Sequence, residues 1–152
     1  MKNAFTMIEL VFIIVIIGIL SAVAVPKLAP IVGNAKDTKA KATLASVRSA
    51  LSTERQKRIL SGKFTPITAL GDSTNVFGHF YDEDGKTDTS VLEYPIASKK
   101  KAHHWYFYGS GGWYAYCLND TCNNPGAIWF KLEKNRFNCI KHSSYGDCSL
   151  LE

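Results

Sequence analysis

Residues Phe5 to Val25 read FTMIELVFIIVIIGILSAVAV. As a helix these 21 residues would be about 31 Å long, close to the hydrocarbon thickness of a bilayer. Their one charge is Glu9. A carboxylate inside an apolar span costs on the order of 2.5 to 3.5 kcal/mol even on a lenient insertion scale, so it normally has a partner. No cation lies within one helical turn of Glu9, because Lys2 is seven residues upstream; hydration at the membrane interface is the other way to keep the charge. A secretory signal peptide also joins a basic start to an apolar core and a small-residue cleavage site. Here the acid interrupts the apolar run, the run is too long, and cleavage near Ser21, Ala22 and Ala24 would discard the most distinctive part of the chain. The stretch predicts a transmembrane helix whose acid needs a partner.

A cut after Ala4 would create an amino group on Phe5, and a second copy packed alongside could offer that amine to Glu9. The run Ala4-Phe5-Thr6-Met7-Ile8-Glu9-Leu10, followed by an apolar helix, resembles the cleavage and methylation signature of type IV pilins, type II secretion pseudopilins and competence pseudopilins. The resemblance covers roughly Lys2 to Leu60. It implies that a prepilin peptidase cuts between Ala4 and Phe5 and methylates the new amine, and that Glu9 pairs with a neighbour's amino terminus during assembly. The family's usual residue before the cut is Gly; Ala4 is equally small. Gly18 and Pro26 match the helix-weakening positions of many such proteins, and Pro both removes a helical hydrogen bond and crowds the preceding turn, so a kink is expected. The partners implied are other copies of the chain, the peptidase, an inner-membrane assembly platform, and membrane lipid before assembly. The implied location is the bacterial inner membrane, N-terminus cytoplasmic and head periplasmic, then a periplasmic or extracellular filament.

Outward from this helix the organisation expected is a leader at 1–4, an apolar helix at 5–25, an amphipathic stalk helix at 26–60, a connecting region at 61–102 and a β head at 103–152. Ala40, Leu44, Val47 and Leu51 recur at steps of four, three and four, with Ile59 extending the face, and Ser61-Gly62 reads as the stop. A helix from Phe5 to Leu60 would be about 84 Å long, more than one small domain can bury. Its front part must therefore meet lipid or other copies of itself.

Residues 63–102 show little periodicity and read as a long loop with at most short elements. Within them Asp82, Asp84 and Asp88 alternate around a Gly turn and could gather calcium ligands, although the bidentate Glu of an EF-hand is missing; a solvated acidic turn is the plainer reading. Aromatic and branched runs at 104–108, 113–118, 127–132 and 137–140, separated by glycine- and asparagine-bearing turns, predict four antiparallel strands packed on the stalk, an α+β class. The glycines at 109–112 suit a hairpin better than a phosphate loop.

The four cysteines, Cys117, Cys122, Cys139 and Cys148, all follow the apolar span. Their spacing contains no C-x-x-C pair, which favours disulfides over zinc and an oxidising compartment. Three connectivities are open; short loops pairing Cys117 with Cys122 and Cys139 with Cys148 are the preferred ones. No catalytic motif is present, and the histidines have no ligand spacing, so no enzyme is expected. A net charge of +5, or +4 without Lys2, neither demands nor excludes an anionic partner. Lys99, Lys100 and Lys101 beside His103, His104 and Trp105, with Lys131, Lys134, Arg136 and Lys141 later on, raise nucleic acid as a partner, against the plainer reading of a solvated loop beside core aromatics. Two functions from different classes follow: a structural subunit of a type IV pilus-like filament or secretion pseudopilus, and a binding module on a single-span anchor.

Overall fold

The computed structural model describes residues 5–109 and 111–152, which form two compact units, the residues up to Lys36 and Asp37–Glu152. One helix, α1 (Met7–Leu60), runs through 54 residues. Thr6 starts it: its hydroxyl accepts from Glu9 N–H at 3.3 Å, and the Glu9 carboxylate reaches back to Thr6 N–H at 3.5 Å. This is the reciprocal capping box, which satisfies two donors that the helix itself cannot. The other end closes in a Schellman motif, with Lys63 N–H donating to Arg58 C=O at 2.8 Å and Gly62 N–H to Ile59 C=O at 3.0 Å. Gly62 takes the left-handed conformation this turn needs, at φ 74°.

In the unit from Asp37 onward, Ala40, Leu44, Val47 and Leu51 are buried, as their spacing implies. Ile59 does not extend that face. It is 44% exposed, and the stripe continues through Glu54 and Arg58, both buried. Helical geometry explains the correction: at 100° per residue Ile59 lies about 80° round from Leu51, whereas Glu54 and Arg58 stay within one apolar arc.

Four antiparallel strands, β5 (Trp105–Phe107), β6 (Trp113–Cys117), β7 (Ala127–Glu133) and β8 (Arg136–Cys139), form a sheet in sequence order. This is the α+β arrangement expected. The β7–β8 connection is a two-residue hairpin with Lys134 at φ 50° and Asn135 at φ 56°, the twist that suits a tight antiparallel turn. One sheet face supplies Tyr114, Tyr116, Ile128, Phe130 and Phe137 to a core shared with the helix stripe, Leu70, Val76, Phe77 and Phe80.

The region read as loop carries four short strands: β1 (Asn75–Val76) pairs with β4 (Ile96–Ala97), and β2 (His79–Asp82) with β3 (Gly85–Ser90). Cys117 is bonded to Cys122 and Cys139 to Cys148.

Candidate functional site

The first unit offers apolar surface and one acid. Every described side chain from Phe5 to Leu28 is exposed, with Phe5 at 75%. This helix is long and apolar enough to cross a membrane, a test of length and composition that a signal sequence also passes. Ala4, expected to precede the cut, lies outside the described residues. Phe5 immediately precedes the cap, and Glu9 sits in the first turn with its carboxylate on Thr6 N–H, which places the negative charge at the positive end of the helix dipole. The cap was legible as Thr-x-x-Glu before an apolar run, and reading Glu9 only as a charge missed it. Gly18 and Pro26 both lie inside the unbroken helix, and a side chain added at Gly18 would meet nothing within 4 Å.

The second unit holds the remaining candidates. Asp82, Asp84 and Asp88 are not drawn together as cation ligands: Asp82 is buried and given to ion pairs, while Asp84 and Asp88 are exposed on the β2–β3 hairpin. Asp82 Oδ2 accepts from Arg58 Nη1 at 3.1 Å and lies 3.5 Å from Lys63 Nζ; Arg58 Nε donates to Glu54 Oε1 at 2.8 Å. Two carboxylates, a guanidinium and an ammonium thus balance, and the cluster ties the helix to β2. Among the described residues no group of three His, Cys, Asp or Glu could hold a metal.

A second polar knot joins Asp37 to the sheet, with Tyr116 OH donating to Asp37 Oδ1 at 2.8 Å and His103 Nδ1 at 2.9 Å from the same oxygen. Burial, with the Asp37 carboxylate beside it, pushes the Tyr116 hydroxyl well above its ordinary pKa. Glu54 and Arg58 are an i, i+4 helix pair, but each knot closes on a residue far off in sequence, Asp82 24 residues from Arg58 and Tyr116 79 residues from Asp37.

The basic residues considered for nucleic acid are scattered in their roles. Trp105, a ring that a nucleic-acid partner would need exposed, is 3% exposed and packs between Phe77, Tyr116 and Phe130, in keeping with the plainer reading of core aromatics. The cause is strand alternation: in β5 the buried residues are Trp105 and Phe107, and Tyr106 points the other way. Lys100 and Lys131 place their ammonium groups over the rings of Tyr106 and Trp113.

An apolar N-terminal helix with an acid in its first turn, followed by an α+β head, fits a type IV pilin. The chain is similar to the type IV narrow pilus major component PilA5 of Thermus thermophilus, with 52% identity over 48 residues. That match takes in 32% of this chain and 41% of the relative, so the chain spans about two-fifths of the curated protein it resembles. No family model matches the chain, and no solved structure matches it.

Proposed function

We propose that this chain is a structural subunit of a type IV pilus-like filament, inserted in the bacterial inner membrane as a precursor and polymerised through its N-terminal helix. The observation that carries the reading is the helix surface from Phe5 to Val25, apolar and exposed, with Glu9 as its one charge. Cleavage between Ala4 and Phe5 frees an amine, and methylation keeps it cationic. Glu9 of one subunit then meets the Phe5 amine of the next, which sets the register as apolar helix packs on apolar helix. Gly18 and Pro26 let the helix bend or loosen as it passes from bilayer to filament. The disulfide-stapled head stays outside. The likeness to a pilus major component supports this assignment.

Mass analysis of the purified protein tests it directly. The expected N-terminus is methyl-Phe5, and cross-linking in cells should give a ladder of long oligomers. A protein that retains Met1, or that cross-links only as a monomer, contradicts the filament reading and favours an anchored binding module.

A further inference from the structure

The second face of the β5–β8 sheet, opposite its core side, is aromatic and partly open to water. Trp113 and Trp129 are half-buried there, and Tyr108 is 54% exposed. With Asn124 and Tyr145 these rings line a cleft of about 320 Å³, within the range of small-ligand sites. Trp129 is its centre. The ring centroids of Tyr108, Trp113 and Tyr145 lie 5.6, 6.3 and 5.9 Å from it, the first two at interplanar angles of 78° and 76°.

Both disulfides serve this cleft. Asn124 sits just beyond Cys122, which is tied to β6 through Cys117, and Tyr145 lies inside the loop closed by Cys139 and Cys148. That loop is laid against β7 by Gly146, whose N–H donates to Ala127 C=O at 2.8 Å. A Cβ at Gly146 would come within 2.9 Å of Ile128 Cγ1 and 3.0 Å of Ala127 O, so only glycine allows the approach. Of the three lining residues outside the strands, Tyr145 sits within a covalently closed loop and Asn124 two residues past a tethered cysteine, which lowers the ordering cost of binding.

The lining chooses among ligands. No charged side chain belongs to it; Lys131 at the rim lies over Trp113 and is matched by Glu133 at 3.5 Å. Asn124 Oδ1 accepts from Trp129 Nε1 at 2.6 Å, which turns the amide NH₂ into the available donor beside the tyrosine hydroxyls. A nucleotide calls for cations to meet its phosphate, and the lining has none. A quaternary ammonium suits rings alone, and here an amide donor and a rim ammonium oppose it. What fits is a neutral molecule with an apolar C–H face and a hydroxyl edge. We infer that this cleft binds a neutral pyranose unit of a glycan, its C–H face on Trp129 and its hydroxyls on Asn124 and the tyrosines. The inference does not depend on filament assembly.

The test uses the full chain in a polyoxyethylene detergent, because a maltoside or glucoside detergent would compete. Maltotriose, cellotriose and N-acetylchitotriose are titrated while tryptophan fluorescence and the indole N–H resonances are followed. The expected result is a saturable change with at least one trisaccharide, weakened about tenfold or more in Tyr108→Ala and Asn124→Ala. Tyr108 is the safer substitution because its exposed ring can be removed without opening the core. The inference is overturned if none of the three sugars gives a saturable change or if the change survives both substitutions. Oligothymidylate or a proline-rich peptide binding there in place of the sugars overturns it as well.

Discussion

Arg58→Met probes a buried charge cluster that joins the helix to the small strands. The substitution keeps an apolar stem of similar reach and removes the guanidinium that bonds Glu54 at 2.8 Å and Asp82 at 3.1 Å. The side chains of Glu54 and Asp82 are 8% and 2% exposed, so two carboxylates lose their shared cation inside the protein. Breaking a buried pair by removing one partner costs about 3 to 5 kcal/mol. Asp82 retains Lys63 at 3.5 Å and a bond from Asp84 N–H at 3.1 Å, which places the expected loss near the lower end. At roughly 4 °C per kcal/mol for a folded unit on the order of 100 residues, the midpoint should fall by about 12 °C. Near-ultraviolet circular dichroism of the detergent-solubilised chain reads this melt through the aromatic core. The triple variant Glu54→Gln, Arg58→Met, Asp82→Asn leaves no buried charge in the cluster and should recover most of the loss. A single variant that melts within about 3 °C of the parent, or a triple no better than the single, would refute the reasoning.

Glu9→Gln separates the two roles open to that residue, since Gln can still complete the capping box but carries no charge. Electron microscopy of sheared material should show filaments lost or disordered in this variant with membrane insertion intact; normal filaments would leave Glu9 only the cap. Serine at both Cys139 and Cys148 should cost about 2 to 3 kcal/mol by loop entropy and detach Tyr145 from Trp129, seen as lower thermal stability together with a shifted tryptophan emission. Asp72 is held below the ordinary carboxylate range, first by the N–H of Asn75, with Thr74 N–H and the Tyr81 hydroxyl adding to the effect. A depressed folded-state value means its stabilisation is complete above the unfolded value of about 3.9 and is lost as pH falls below that through the folded value. Asp72→Asn should therefore flatten the acid side of the stability profile, and an unchanged slope below about pH 4 would contradict the assignment.

What the sequence disclosed follows from periodicity. Ala40, Leu44, Val47 and Leu51 keep a helical step, and the aromatic runs of β5 to β8 each show a side turned inward, so both halves of the core were readable. The small strands were not. β3 is Gly-Lys-Thr-Asp-Thr-Ser, with no large apolar residue to mark its alternation, and β1 and β4 have two residues each. Phe77 is fully buried yet sits at φ 58°, a conformation that local preference gives to glycine or asparagine, so tertiary packing decides it. Trp105 follows three lysines in the chain, and neighbours in sequence do not reveal which side of a strand a residue takes. The cleft around Trp129 draws on two strands, a hairpin end, one disulfide loop and a residue just past the other, and no short window of sequence contains it.

The chain divides its free energy between two tasks that its own fold cannot join. Among the described residues, eighteen large apolar side chains between Phe5 and Val32 are exposed. At about 1.5 to 3 kcal/mol each, their burial is worth tens of kcal/mol, more than the roughly 5 to 15 kcal/mol that holds a typical domain together. That demand fixes only that the helix leaves water. Lipid tails and other apolar helices satisfy it almost equally, so hydrophobicity alone does not choose a filament over a bilayer. The choice falls to the group that the two hosts treat differently. Glu9 is costly in lipid by a few kcal/mol and welcome beside a freed amine, so on the proposed function a single carboxylate decides where a 54-residue helix comes to rest.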